Sequence, residues 1–272
     1  MTAIAKGPAQ QYADSRKLAA RSRLNRKYTL SAIPWFEWVA QQLLFQKNDS
    51  VLDVGSGSGW FWTASANVLP EGLALTLVDS SAGMIDEAMQ HCRKMPLASI
   101  ECRIGDALAL PFGDDCFDKV LAMHMLYHVS DPAVGIREMF RVLKPGGWLA
   151  VTTNDTANKR ELHELTAAFD GAASDPAAAI FGYDTARHLM HNRFGNVDLR
   201  RYPAHMRITN PDDVFVALTS YPPGDQANDA QLAAFRKTIE GAFRSGNGVL
   251  EVRIETGLFL SQKRVEASNN RS

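Results

Sequence analysis

Short apolar runs alternate along the chain with segments whose apolar residues recur at helical spacing. The runs "SVLDV" from Ser50, "LALTLVD" from Leu73, "SIECRIGD" from Ser99, "DKVLAMHM" from Asp118 and "GWLAVTTN" from Gly147 predict five strands. Between them, Phe61 to Val68, Ala82 to Lys94 and Pro132 to Leu143 read as helices, and the last places Val134, Met139 and Val142 near one face. Strand and helix in alternation predict a doubly wound α/β fold around a mostly parallel sheet. After Asn154 the pattern loosens. An Ala-rich stretch from Glu161 to Ile180 and a polar helical stretch from Gln231 to Arg244 interrupt it, while "NVDLRRYPAHMRI" and "LEVRIETGLFLSQK" predict two further strands. The expected organisation is a helical arm or lid over 1–48 and one domain over 49–264 with helical cap insertions at about 155–184 and 210–248. Residues 265–272 are expected to form a disordered tail.

Composition narrows the partners. With 272 residues, 46% of them hydrophobic, the chain can bury a large core. A formal net charge of -1 supplies no basic field for a phosphate backbone, so no nucleic-acid partner is expected. Three cysteines without C-x-x-C spacing suggest neither a disulfide framework nor a thiolate metal site. The sequence has no apolar run long enough to span a membrane, and a cytoplasmic protein is expected. The early residues are basic: Lys6, Arg16, Lys17, Arg21, Arg23, Arg26 and Lys27 stand against Asp14 alone. That composition also suits a transit peptide, but the apolar spacing of Leu18, Leu24 and Tyr28 runs on into the next helix as a folded arm would.

The candidate chemistry begins at "VLDVGSGSGW", Val51 to Trp60. A dinucleotide fingerprint needs glycine where this chain has Trp60, and the Gly-Lys-Ser/Thr of a Walker loop is absent. What remains is a strand carrying Asp53, then Gly55, Gly57 and Gly59, which let a ligand approach the backbone closely. A carboxylate there suits a cationic ligand. The second strand ends in Asp79, where a carboxylate can accept both hydroxyls of a ribose, and the third ends in Asp106, where it can accept from an exocyclic amine. Each aspartate alone is more often a cap or turn residue than a ligand. Their joint order points to a nucleoside with an amino group and no phosphate.

The stretches "VLDVGSGSG", "LTLVDSSAGMIDEA", "GDALALPFGDDCFDKVLAMHMLYHVSDP" and "REMFRVLKPGGWLAVTT" resemble the successive motifs of class I S-adenosylmethionine-dependent methyltransferases of the ubiquinone and menaquinone pathway group. The resemblance covers about residues 50–153. It implies a Rossmann-like seven-stranded sheet whose last strand, Leu250 to Gln262, is antiparallel, and S-adenosylmethionine as cofactor. It implies further that Asp53, Gly55, Gly57 and Gly59 face the methionine end, that Asp79 with Ser80 faces the ribose, and that Asp106 with Ala107 faces the adenine. Met84 would pack near the ribose or adenine. A departure is the aromatic "WFW" at Trp60 to Trp62, which reads either as core packing or, at Trp60, as a border of the methionine end.

A sulfonium already activates its methyl group, so positioning and exclusion of water carry most of the reaction. Where the acceptor must lose a proton, His128 in "MLYHVSD" is the best-placed base, the alternative being a packing or capping role. His124 lies at the end of a strand signal, so a two-histidine metal site is not expected; His188 and His191 read as surface groups and Cys116 as a partly buried turn residue. No metal is assigned. On the arm, "RKYTLSAIPWFEWV" concentrates aromatics that suit either core or pocket, and the resemblance suggests Tyr28 and Arg23 as partners of the cofactor's carboxylate. The expected partner is a small planar or apolar acceptor, with no nucleic acid and no membrane, and the expected state is monomer or homodimer. Two other classes stay open, a nucleoside-binding regulatory protein without transfer and a nicotinamide-dependent oxidoreductase; only an enzyme would pass labelled methyl to a metabolite.

Overall fold

The computed structural model describes residues 23–169, 171, 174–220 and 223–265. Its chain divides into two compact units that interleave in sequence: Met1–Ala32, Asn154–Ala179 and Pro203–Glu255 form one, and Ile33–Thr153, Ile180–Tyr202 and Thr256–Ser272 form the other. Residues 266–272 of the expected tail lie outside the described residues, as do Leu18 and the basic residues up to Arg21.

The larger unit is built on β2 (Ser50–Val54), β3 (Ala74–Asp79), β4 (Ser99–Ile104), β5 (Phe117–Met123), β6 (Leu143–Asn154), β7 (Asp198–Arg201) and β10 (Thr256–Gln262), in the order β4-β3-β2-β5-β6-β10-β7. Strand β2 lies parallel to both neighbours, with Asp53 opposite Leu77 of β3 and Leu121 of β5. Continuous apolar runs such as Val51, Leu52 and Val54 are buried, as strands covered on both faces require. The antiparallel member is β10, whose Leu258 pairs with Arg200 of β7. Helix α4 (Ala82–Cys92) starts at Ser81, whose hydroxyl accepts from Met84 N, and turns Ile85, Ala88 and Cys92 inward. Helix α5 (Pro132–Val142) has Pro132 in its first turn and Asp131 as cap, accepting from Ala133 N at 3.0 Å and Val134 N at 3.1 Å. It buries Ile136, Met139 and Val142 against the sheet core that includes Leu52, Val120 and Val151.

Strand β1 (Thr29–Leu30) follows helix α1 (residues 23–28) and belongs to the other unit, where it pairs antiparallel with β8 (His205–Ile208), which pairs in turn with β9 (Leu250–Arg253). Helices α9 (Pro211–Leu218) and α10 (Asp229–Ser245) complete this unit. Asn228 and Gln231 close a reciprocal capping box at the start of α10, and Phe235 packs on Phe169 with ring centroids 4.5 Å apart. Met206, Val214, Phe235, Ile239 and Val252 form its core.

Each of the two late strands expected from sequence is two strands. The run Asn196 to Ile208 breaks around Pro203, which has no N–H to continue a ladder, so β7 and β8 fall in different sheets. The expected strand from Leu250 to Gln262 likewise parts into β9 and β10, and only the second is the antiparallel strand of the large sheet.

Candidate functional site

The loop after β2 holds Gly55, Gly57 and Gly59 at φ of 69°, 54° and 74°, in the left-handed region that favours glycine. They serve different ends. A Cβ on Gly55 would stand 2.8 Å from the Met125 side chain, and one on Gly59 3.0 Å from Cys92 Sγ, so both positions exist for close packing. A Cβ on Gly57 would meet nothing within 4 Å, so the backbone there borders open space. Gly55 N donates to Val78 O at 2.7 Å and Gly57 N to Asp79 Oδ2 at 2.9 Å, which ties the loop to the end of β3.

Asp79 is partly exposed, and its other oxygen accepts from Ser81 N at 2.9 Å. Ser80 between them is exposed, and Met84 on the first turn of α4 is half-buried. Asp79 pairs with Ile104 in the β3–β4 register, so Asp106 stands two residues past the neighbouring strand end. Asp106 is exposed and accepts from Leu108 N at 2.9 Å, while Ala107 turns into the core. The loop carrying both is pinned to α5: Glu138 Oε2 accepts from Leu110 N at 3.0 Å, and Arg141 bonds the same carboxylate at 2.7 Å and Leu110 O at 3.1 Å. Sequence reasoning did not find this brace, though the Glu138 and Arg141 spacing of one helical turn was a signal for it.

Asp53 differs from the other two carboxylates. It is 2% exposed, its Oδ2 accepts from Trp62 Nε1 at 2.9 Å, and its Oδ1 has no hydrogen-bond partner. Burial pushes its pKa up to about 7; the Trp62 bond opposes this and the Asp79 charge adds to it. A buried oxygen with no donor suits a cationic ligand, because a positive charge nearby would favour the ionised form. Trp62 and Phe61 are buried, as the core reading of the aromatic run expects, but Trp60 is 62% exposed and meets the His91 ring edge-on at 6.3 Å. Trp62 as the partner of Asp53 was not legible from the sequence.

The segment after β5 lies beside the loop through the Met125 contact with Gly55. His128 ends a short 3-10 turn (Leu126–His128), with its ring against Tyr127 at 4.6 Å between centroids. The residue is exposed by surface area, yet protein packed around its ring lowers its pKa, and the charge on Asp79 opposes that shift. The direction leaves the ring neutral at physiological pH, able to accept a proton.

Tyr28 and Arg23 have a partner in their own unit. Asp213 on α9 accepts from Tyr28 OH at 2.7 Å and from Lys27 Nζ at 2.6 Å, and Arg23 stands 4.0 Å away. The hydrogen bonds from Lys27 and Tyr28 hold the Asp213 carboxyl below its ordinary pKa. His188 and His191 are exposed, as expected; Cys116 is also exposed, where a partly buried residue was expected, because its turn projects past the start of β5. Among the described residues no cluster of three metal-ligating side chains occurs, and no helix is long and apolar enough to cross a membrane.

Residues 52–151 match the methyltransferase domain family. The chain is 34% identical over 127 residues to the demethylmenaquinone methyltransferase of Listeria welshimeri, covering 46% of this chain and 53% of that protein. It is 29% identical over 118 residues to the ubiquinone/menaquinone biosynthesis C-methyltransferase UbiE of Geotalea daltonii, covering 43% of this chain and 50% of that one. The chain thus spans about half the length of the curated relatives it matches. In fold it is similar to a putative methyltransferase from an antibiotic biosynthesis pathway of Anabaena variabilis, with a TM-score of 0.60 and 18% identity over 83% of this chain and 95% of that one. It is similar also to the YcgJ protein of Bacillus subtilis, with a TM-score of 0.58 and 17% identity over 85% and 98% of the two chains. Over residues 52–151 the chain thus matches the methyltransferase domain family and resembles the ubiquinone and menaquinone methyltransferases, and its fold is that of solved methyltransferase-like structures.

Proposed function

We propose that the chain transfers a methyl group from S-adenosylmethionine to a small-molecule acceptor. The observation that carries this reading is the left-handed loop that opens at Gly57 while its N–H is held by Asp79, beside a buried Asp53 oxygen that lacks a donor. A nucleoside cation answers each of these features. Asp79, with the exposed Ser80 beside it, would accept the ribose hydroxyls; Asp106, with the Ala107 backbone, would take the adenine amine; Met84 would pack against the base or sugar. Asp53, Gly55, Gly57 and Gly59 would line the methionine end. When bound, S-adenosylmethionine supplies a methyl group made electrophilic by its sulfonium.

This chain's own residues then have three tasks. The glycine loop and the carboxylates hold the donor in one orientation, and the protein around them keeps water away from the reacting carbon. His128, neutral at physiological pH, would accept the proton that a hydroxyl acceptor gives up as its oxygen attacks the methyl carbon, or that an ammonium must lose before its nitrogen can attack; the methyl–sulfur bond would break and S-adenosylhomocysteine would leave. Replacing His128 by alanine should lower the transfer rate by about 100-fold with little change in S-adenosylmethionine affinity. A drop of only a few-fold would leave proximity as the source of catalysis. The test of the function itself is incubation with methyl-labelled S-adenosylmethionine and a metabolite extract: label passed to a small molecule supports it, and stoichiometric binding without transfer would make the chain a nucleoside-binding regulator.

The arm residues are tested separately. Tyr28→Phe removes the hydroxyl that meets Asp213. It should lower stability by about 1 kcal/mol through that bond. If Tyr28 also serves the cofactor's carboxylate, calorimetry will show weaker binding as well; unchanged affinity would remove Tyr28 from the site.

A further inference from the structure

The end of helix α4 meets the glycine loop residue by residue. His91 Nδ1 stands 2.8 Å from Ser58 O; a carbonyl oxygen can only accept, so Nδ1 carries a proton and donates. Cys92, the next residue, is buried against Gly59, where an added Cβ would stand 3.0 Å from its Sγ. Trp60 in turn meets the His91 ring edge-on at 6.3 Å. Consecutive positions of the loop, Ser58, Gly59 and Trp60, thus rest on the last two residues of one helix. Cys92 acts by packing, whereas His91 is exposed, and its bond is directional.

That bond falls where the chain is least able to fix itself. Ser58 lies between Gly57 and Gly59, both at positive φ, and glycines on either side let a peptide plane rotate at little steric cost. The Ser58–Gly59 peptide is itself planar, so its two polar ends set its orientation. Gly59 N donates to Ser56 O at 3.2 Å, a bond within the loop, while Ser58 O accepts from His91, a bond to another element. Asp79 holds Gly57 N one peptide earlier. The loop is therefore clamped from the end of β3 and from the end of α4, and only the first clamp was assigned to the site above.

We propose that His91 is a positioning residue of the cofactor loop: its Nδ1–H holds the Ser58–Gly59 peptide in the orientation that receives S-adenosylmethionine. This rests on the methyltransferase reading. A glycine loop that samples other orientations must be ordered when the ligand arrives, and that cost weakens binding; a side chain that orders the loop beforehand removes it.

The test compares His91→Phe and His91→Asn in the full chain, with S-adenosylhomocysteine as the probe. Phe keeps a ring against Trp60 but has no donor, while the Asn amide nitrogen can stand where Nδ1 stands and donate in the same way. Calorimetry at a temperature where melting shows each variant folded should give about fivefold weaker binding in His91→Phe and an affinity within about twofold of wild type in His91→Asn. Without ligand, hydrogen exchange followed by NMR should show the Gly57 and Gly59 amides of His91→Phe exchanging about fivefold faster than those of wild type or His91→Asn. A side chain with a purely structural role would shift the melting temperature and leave the affinity of the folded protein alone. Should His91→Phe fail to fold, His91→Ala removes the donor without adding bulk and should bind as weakly. Unchanged affinity in the variants that lack the donor, or an equal loss in His91→Asn, would overturn the proposal while leaving the methyltransferase reading standing. Failure of S-adenosylhomocysteine to bind the wild type would remove both.

Discussion

Asp79→Ala should weaken S-adenosylmethionine binding by at least 100-fold, roughly 3 kcal/mol. Two losses combine. A carboxylate that accepts two ribose hydroxyls contributes about 1.5–3 kcal/mol through charged hydrogen bonds. The same carboxylate also holds Gly57 N at 2.9 Å and Ser81 N at 2.9 Å, so its removal frees the loop at the position where the backbone borders open space. Asp79→Asn separates the two, because an amide oxygen can still accept one backbone N–H while the charge is gone; its loss should fall between wild type and alanine. Calorimetry on folded protein, with folding checked by thermal melting, measures each. Unchanged affinity in Asp79→Ala would remove the ribose assignment.

The second large effect concerns Asp53 and pH. Its pKa in the folded chain is about 7 against an ordinary 3.8, so between these values the folded state holds a proton that the unfolded state has released. Stability from this group is therefore undiminished at low pH, falls as pH rises through that window, and is lowest above pH 7. The full penalty at pH 8 is on the order of 3–5 kcal/mol. Asp53→Asn, which carries no charge to desolvate, should be more stable than wild type at pH 8 by a few kcal/mol in chemical denaturation, with the difference shrinking toward pH 5. Ligand binding should show the opposite trend. A cation held near the unpartnered oxygen favours the ionised carboxylate, so S-adenosylmethionine affinity should rise roughly tenfold from pH 5.5 to 7 in wild type and stay flat in Asp53→Asn. A pH-dependent affinity that persists in Asp53→Asn would assign the proton to another group, His128 first among them.

How much of this was legible in the sequence follows from the range of the interactions involved. The parallel strands β2, β3 and β5 were readable because each is a buried apolar run flanked by its own turns, and Asp53 and Asp79 near the ends of the first two fall out of that placement. The three-stranded sheet was not, because β1 has only two residues and its partner β8, which pairs in turn with β9, comes from a distant part of the chain. No local pattern marks so short a strand; its partner defines it. The same holds at the site. Glycine spacing announced the loop, but which glycine packs and which faces open space depends on Met125 and Cys92, residues from other elements. The Trp62 bond to Asp53 needed both the strand register and the helix direction, neither of which a local sequence pattern carries.

The interleaving of the two units limits how the protein can be cut and recombined. Because the smaller unit draws residues from before Ala32, from Asn154 to Ala179 and from Pro203 to Glu255, no single truncation yields either unit whole. Deleting the segment that carries β1 would uncover the edge of β8 and leave a row of unpaired backbone donors and acceptors, a site for aggregation. Engineering by domain exchange must move three stretches together, with Met206 meeting both Thr29 and Val252 in register, or the recipient inherits a sheet with no partner for its middle strand. Homologous recombination at one crossover point is thus a poor route to new variants of this chain, and point substitution within either core is the more accessible one.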